Sequence, residues 1–244
     1  MAKFSKWLGG GLGWALGGPI GAIIGFVVGS LVDESQVTTH RVKTNTSSSG
    51  VNDFMATLLV LSAAVIKSDG KTTKLEIEYV RKFLAQQFGT AKASEAMFLL
   101  REILKQEIPL QNVCLQIKHY MPLASRLQLL HYLYGISNAD GHINDAEIEI
   151  VERIAYYLGI STPDQNSIKA MYYRDANSDY KILEISSDVT DEELKKSYRK
   201  MAMKFHPDRV ASLGEDVQKA ANEKFKKVQQ AYENIKKQRM IMQQ

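Results

Sequence analysis

Cysteine is almost absent from this sequence, since Cys114 is the only one among 244 residues. A single cysteine excludes an intramolecular disulfide and a cysteine-rich zinc site. The sequence also lacks a nucleophile and a base at a known motif spacing, and a glycine-rich phosphate loop that leads to Lys-Ser or Lys-Thr. We therefore predict that the chain has no catalytic site and requires no cofactor.

Charge is absent from Trp7 to Val32, where Leu, Ile, Val, Ala and Gly dominate. A helix needs about 20 apolar residues to cross a membrane, so the segment is long enough. Glycine recurs at every fourth residue, at Gly9, Gly13, Gly17, Gly21, Gly25 and Gly29. On a helix these glycines share one face, which would let a second backbone approach closely. The pattern predicts a membrane anchor over residues 1–33 that contacts lipid and forms a homodimer through this glycine ridge.

Three alternatives to a spanning helix remain open. Lys3 and Lys6 would suit the basic start of a signal peptide, although the apolar stretch is long and no small-x-small cleavage site follows it. A flexible glycine-rich tail is the second alternative. A re-entrant hairpin broken at Gly17-Gly18-Pro19 is the third, since hydropathy does not separate it from a kinked span. Residues 34–50 are polar and predict a flexible linker.

Two helical patterns joined by a His-Pro-Asp turn occupy the last quarter of the chain. The first has an apolar stripe formed by Leu194, Tyr198, Met201, Ala202 and Phe205. Thr190 and Glu193 have the spacing of a capping box at its start, and Pro207 ends it because proline has no N–H to donate. The other face is basic, with Lys195, Lys196, Arg199, Lys200 and Lys204.

The second pattern has apolar residues at three- and four-residue intervals, namely Val217, Ala221, Phe225, Val228, Tyr232 and Ile235. This spacing is typical of a seam against a partner helix. We expect the two helices to pack antiparallel, with His206, Pro207 and Asp208 at the exposed tip. Residues 179–244 hold 14 Lys and Arg against 11 Asp and Glu, so most of the net charge of +4 lies here.

This segment resembles the J domain of DnaJ-type co-chaperones. The resemblance extends from Asp179-Tyr180-Lys181-Ile182-Leu183 through the turn to Ala231-Tyr232-Glu233. It implies that His206, Pro207 and Asp208 stimulate ATP hydrolysis by a DnaK-type chaperone. It also implies that Lys195, Lys196, Arg199, Lys200 and Lys204 steer an acidic surface of that partner, an effect that salt weakens. The zinc repeats and the Gly/Phe-rich region of full-length DnaJ proteins are missing.

Plainer interpretations apply to the same residues. His-Pro-Asp also suits an ordinary turn between helices, because Asp and Pro are common turn residues. The basic side chains also suit a solvated helix face. Nucleic acid would be another partner for a basic helix, but the sequence has no recognisable nucleic-acid-binding motif, and we predict no nucleic-acid partner.

The region from residue 51 to 174 is helical by pattern and contains an internal repeat. Residues 64–70 followed by 76–78 align with residues 135–141 followed by 147–149, each copy being a helix, an Asp-Gly turn and a second helix. The duplicated Asp-Gly-x5-Glu spacing resembles the TerB-like domain of tellurite-resistance proteins. That resemblance implies a divalent metal held by Asp69, Glu76, Asp140 and Glu147. Capping is the alternative, since Thr73 with Glu76 and Asn144 with Glu147 have the spacing of a helix cap and its reciprocal acid.

The order of these segments resembles the DjlA-type membrane-anchored co-chaperones. We predict an all-α chain with an anchor at 1–33, a linker at 34–50, a TerB-like helical domain at 51–174 and a J-domain helical hairpin at 178–244. The resemblance implies a single-pass protein of the bacterial inner membrane, with most of the chain in the cytoplasm and a role in the stress response. The alternative is a metal-binding or stress-sensing adaptor in which the J domain only reports the state of the TerB-like domain.

Overall fold

The computed structural model describes residues 17–28, 49–141, 144–213 and 215–242. Within these ranges every regular element is a helix, which confirms the predicted all-α class. Residues 17–28 form helix α1. The α-helices that follow are α2 Ser49–Ile66, α3 Lys74–Phe88, α4 Thr90–Ile103, α5 Leu110–Tyr120, α6 Leu123–Ile136, α7 Asp145–Tyr157, α8 Thr162–Ala170, α9 Ser178–Ile182, α10 Asp191–Lys204 and α11 Glu215–Met242. A 3₁₀ helix, Pro207–Leu213, lies between α10 and α11.

The chain divides into two compact units, Met1–Tyr120 and Met121–Gln244. In the first, α4 packs on α2 and α3, and α5 contacts α2. Its core is aliphatic because α2 is apolar around most of its circumference, as expected of a buried helix. The fully buried side chains of this core include Leu58, Leu61, Ile66, Leu84, Leu100 and Ile103.

Helix α1 belongs to the first unit and is hydrogen-bonded to Gln116 of α5. The Gln116 amide donates to the carbonyl of Gly17 at 2.6 Å and accepts from the backbone N–H of Ile20 at 3.0 Å. Ile20, Ile23 and Val27 are buried. None of the helices in the described ranges is long and apolar enough to cross a membrane.

The second unit combines α6, α7 and α8 with the C-terminal segment. Helix α6 packs on α7 and α8, α8 packs on α9, and α11 packs on α9 and α10. The boundary predicted between residues 174 and 178 therefore lies inside this unit. As a result, residues of α6 and α8 contact the helices around the His-Pro-Asp turn.

The internal repeat is visible in the backbone. Gly70 and Gly141 both have a φ of 76°, a left-handed conformation that glycine adopts without a Cβ clash. Thr73 then caps α3 with a full capping box that includes Glu76. Asn144 caps α7 by accepting from the N–H of Ala146. The first copy therefore has the capping box that the spacing predicted, and in the second copy α7 starts after the predicted cap residue Asn144.

Candidate functional site

The His-Pro-Asp turn begins where α10 ends. The last bond of the helix is donated by the N–H of Phe205 to the carbonyl of Met201 at 3.0 Å, and the 3₁₀ helix starts at Pro207. The side chains of His206 and Asp208 are 47% and 75% exposed. Both polar side chains of the turn are therefore available to a partner.

Short-range contacts order the turn. The N–H of Asp208 donates to Nδ1 of His206 at 3.3 Å, and Gln218 donates its amide to the Asp208 carboxylate at 3.4 Å. The His206 ring stands edge-on to the Phe225 ring, with centroids 5.8 Å apart. These contacts hold the imidazole above α11, so it is pre-organised before any partner arrives.

Helices α10 and α11 form the antiparallel hairpin that the apolar stripes predicted. At one end Arg239 of α11 pairs with Asp191 at the start of α10, at 2.6 Å. Midway, the rings of Tyr198 and Tyr232 stack with centroids 4.4 Å apart. The seam between the helices is lined by the buried side chains of Leu194, Met201, Phe205, Ala221, Val228, Ala231 and Ile235. This packing places the turn at one end of the hairpin.

Four of the five predicted basic residues are exposed on the outer face of α10, namely Lys195, Lys196, Arg199 and Lys200. Met203 lies beside them on this face and is 67% exposed. The face is therefore cationic with one apolar contact point, a combination that suits an acidic protein surface with a small hydrophobic patch.

Lys204, the fifth basic residue, is placed differently. Its side chain is only 19% exposed, and its ammonium lies against the carboxylates of Asp164 and Glu184. The Glu184 carboxylate also pairs with Lys200 at 3.1 Å. The structure therefore separates Lys204 from the four solvated cations with which the helical pattern grouped it.

Two lysines that sequence reasoning missed attach the C-terminal segment to α6 and α8. Lys224 is fully buried, donates to the carbonyl of Leu127 at 3.1 Å and lies 3.9 Å from the centroid of the Phe205 ring. Lys227 donates to the carbonyl of Met171 at 3.1 Å. The sequence contains no signal for either contact, because a lysine beside an apolar stripe is normally solvated.

Burial makes Lys224 an unusual cation. Removal from water lowers its pKa well below the ordinary value; Asp164 opposes this shift, and the neighbouring positive charges of Lys204 and Lys227 reinforce it. The Lys224 amino group lies over the aromatic face of Phe205 and donates to the Leu127 carbonyl.

The carboxylates nominated for a metal have other contacts in the structure. Asp69 accepts from the N–H of Lys71 at 2.8 Å, and Glu76 accepts from the N–H of Thr73 at 2.7 Å. Across the described part of the chain, no three side chains of His, Cys, Asp or Glu are grouped so as to hold a metal ion. The Glu76 spacing is thus accounted for by capping, and the metal site, including Asp140 and Glu147, stays a prediction.

The glycine ridge is only partly within the described residues. Gly17, Gly21 and Gly25 lie on α1, and no atom outside its own helical backbone would meet a Cβ placed on Gly17 within 4 Å. Gly9, Gly13 and Gly29 lie outside the described ranges, as does most of the predicted linker at 34–50. The ridge as a dimer contact stays a prediction.

Three family models match successive parts of the chain. The model described as tellurite resistance protein TerB matches residues 55–170, and the DnaJ domain model matches residues 178–242. The model of the co-chaperone DjlA transmembrane domain matches residues 1–47. Together the three matches support a DjlA-type co-chaperone. The match at residues 178–242 supports a co-chaperone with a J domain, and the match at residues 1–47 supports a membrane anchor.

Two curated relatives align with most of the chain, and a third aligns with a shorter part of it. The co-chaperone protein DjlA of Coxiella burnetii is 26% identical over 213 residues, which cover 78% of each chain. The DjlA of Vibrio parahaemolyticus is 24% identical over 225 residues, covering 76% of this chain and 78% of the relative. The chaperone protein DnaJ of Acetobacter pasteurianus is 56% identical over 57 residues, or 23% of this chain and 14% of the relative. No solved structure matches the chain.

Replacement of Lys224 by Met is expected to remove a rise of stability at alkaline pH. Because the folded pKa of Lys224 is lowered, the unfolded chain binds this proton more readily than the folded chain does. The free energy of unfolding therefore rises with pH from the folded pKa to the ordinary value of about 10.4.

Urea unfolding of the full chain at a series of pH values up to about 10 measures this rise, because the ordinary lysine pKa sets the upper end of the window. Lys226→Met is the matched control, because Lys226 lies on the same helix and is 61% exposed. The same pH dependence in Lys224→Met and in the control would contradict the assignment.

Proposed function

We propose that this protein recruits a DnaK-type chaperone at the cytoplasmic face of the bacterial inner membrane and stimulates its ATP hydrolysis through His206, Pro207 and Asp208. The partner performs the chemistry. The observation that carries the proposal is the exposed His-Pro-Asp turn at the end of an antiparallel hairpin, next to a solvated basic face. The J-domain assignment of residues 178–242 supports the same partner.

The charge distribution favours a protein partner with an acidic docking surface. Four cations lie on one exposed helix face, and the apolar Met203 lies among them. Attraction between such a face and an acidic surface accelerates encounter and aligns the two molecules. The turn then contacts the partner at a fixed position relative to α10, because Phe205 is buried in the hairpin seam.

A membrane anchor would concentrate this activity at one surface. The match of residues 1–47 to the DjlA transmembrane domain supports a single span, and a cytosolic DnaK-type partner requires the J domain on the cytoplasmic side. The N-terminal residues would then face the periplasm. In this arrangement the protein recruits a soluble ATPase to clients near the membrane.

His206→Gln is expected to abolish stimulation, because the exposed imidazole is the side chain of the turn most fully ordered by its neighbours. The measurement is single-turnover ATP hydrolysis by a purified DnaK-type chaperone, with the full-length protein in detergent. His119→Gln is the control, since His119 is exposed on α5 in the other unit. Equal stimulation by wild type and His206→Gln would rule out the proposed function.

Neutralisation of the exposed basic face is expected to weaken recruitment and its salt dependence. In the variant with Lys195→Gln, Lys196→Gln and Arg199→Gln, the protein concentration for half-maximal stimulation should rise roughly tenfold at low salt. At high salt the difference should shrink, because screening already weakens the wild-type attraction. The control variant carries Lys236→Gln and Lys237→Gln, which remove exposed charges from α11 and leave the basic face of α10 intact. An unchanged concentration in the triple variant would contradict the role of this face.

The anchor is expected to keep the full chain in the membrane pellet after an alkaline wash, whereas a chain starting at residue 34 should be released. Orientation follows from Ser5→Cys, whose thiol should react with a membrane-impermeant reagent only from the periplasmic side. The native thiol stays unlabelled, because Cys114 is fully buried and burial raises its pKa to about 12. Labelling from the cytoplasmic side alone would contradict a single span and favour the hairpin.

A further inference from the structure

Glu184 occupies a backbone position that normally belongs to glycine. Helix α9 ends in a Schellman motif, in which the N–H of Ile185 donates to the carbonyl of Tyr180 at 3.1 Å and the N–H of Glu184 to that of Lys181 at 3.0 Å. Glu184 has a φ of 56°, the left-handed conformation that side chains with a Cβ rarely adopt. Within the described ranges it is the only residue other than glycine with a positive φ. A residue held in this strained conformation indicates that its side chain has a specific role.

The side chain of Glu184 reaches α10. Its carboxylate is only 6% exposed and pairs with Lys204 at 2.7 Å and with Lys200 at 3.1 Å. A second carboxylate approaches Lys204 from α8, where Asp164 is also 6% exposed. One ammonium group is therefore held between two nearly buried carboxylates from different helices. We call Asp164, Glu184 and Lys204 the carboxylate clamp.

The protonation state of the clamp supports this arrangement. Burial would lower the pKa of Lys204, but the hydrogen bonds and charges of Asp164 and Glu184 outweigh burial and raise it. Lys204 is thus charged at neutral pH even though its side chain is mostly enclosed. A charge-assisted pair of this kind is directional and restricts the lysine to one position.

The clamp lies next to the His-Pro-Asp turn. Lys204 is the last residue of α10, and His206 follows two residues later. Because the Lys204 ammonium is tied to α8 and α9, the end of α10 is fixed relative to both helices. The exposed Lys195, Lys196 and Arg199 remain available to a partner on the outer face.

We propose that Asp164 and Glu184 are positioning residues for the His-Pro-Asp turn and act on it through Lys204. Lys204 is then an internal anchor of the turn and not one of the partner-contacting cations. Since Asp164 lies in the TerB-like region, that region contributes directly to the activity of the J domain. This inference rests on the proposed function, because the activity that the clamp tunes is stimulation of the DnaK-type ATPase.

The decisive variant is Glu184→Gly, which removes the carboxylate and also relieves the backbone strain. Its melting temperature should stay unchanged or rise, because glycine suits the left-handed position. Its maximal stimulation at saturating protein should nevertheless fall by roughly three- to tenfold, the effect expected of a displaced functional group. The concentration for half-maximal stimulation should change by less than about twofold, because the exposed cations are intact.

A double-mutant cycle tests whether the effect passes through Lys204. Asp164→Asn and Lys204→Met should each lower the maximal stimulation, and Glu184→Gly should add nothing in the Lys204→Met background. Lys204→Arg should retain most of the stimulation, since a guanidinium can bind both carboxylates. Glu233→Gln on α11 is the control for loss of an exposed carboxylate.

Full-length protein is used throughout, with His206→Gln as the internal reference. Unchanged maximal stimulation in Glu184→Gly and Lys204→Met would overturn the clamp, while loss of stimulation in His206→Gln still supports the proposed function. The clamp would also be overturned if maximal stimulation fell only in proportion to a lower melting temperature. It would likewise be overturned if Glu184→Gly lowered the concentration for half-maximal stimulation and left maximal stimulation unchanged. If His206→Gln stimulates like the wild type, the proposed function itself fails.

Discussion

The packing of α10 against α11 around Phe205 determines where the functional residues lie. Phe205 is buried in the seam, while the next residue, His206, is exposed at the end of the hairpin. Each large apolar side chain buried in such a seam contributes about 1.5–3 kcal/mol, so the register of the two helices is strongly specified. Pro207 cannot continue the helix, and the polar residues of the turn are therefore left in solvent.

Three lysines, one fully buried and two partly buried, attach this hairpin to α6 and α8. Lys224 and Lys227 donate to the backbone carbonyls of Leu127 and Met171, and Lys204 pairs with Asp164. A lysine amino group removed from water without such partners would be strongly destabilising. These contacts therefore specify where the hairpin packs on α6 and α8. In the second unit, the J domain is therefore integrated with the end of the TerB-like region.

The internal repeat has a simple physical basis. In each copy the turn after the first helix contains a left-handed glycine, Gly70 or Gly141, and a capping side chain, Thr73 or Asn144, starts the next helix. The acid that follows the cap in the first copy, Glu76, completes a capping box. Helix capping thus accounts for the Thr73–Glu76 spacing of the first copy and for Asn144 in the second.

The sequence by itself determined the features that depend on neighbours along the chain. The capping box at Thr190 and Glu193, the helix stop before Pro207 and the apolar stripe of α10 are all local, and they predicted the hairpin. The J domain came from the resemblance of the motif residues in this segment to that family. Similarity to the DjlA co-chaperones extends over most of the chain. The exposure of Lys195, Lys196, Arg199 and Lys200 follows from the same stripe, because these residues lie on the face opposite to it.

Only the tertiary structure decided which polar side chains are buried. A helical pattern places Lys204 and Lys224 on a face but does not reveal that another helix covers that face. Glu184 is a further example, since its left-handed backbone and its contact with Lys204 depend on how α9 ends and where α10 lies. The carboxylate clamp joins residues 164, 184 and 204. A contact between charges so far apart in the chain follows no sequence period or motif spacing, so the sequence alone could not predict it.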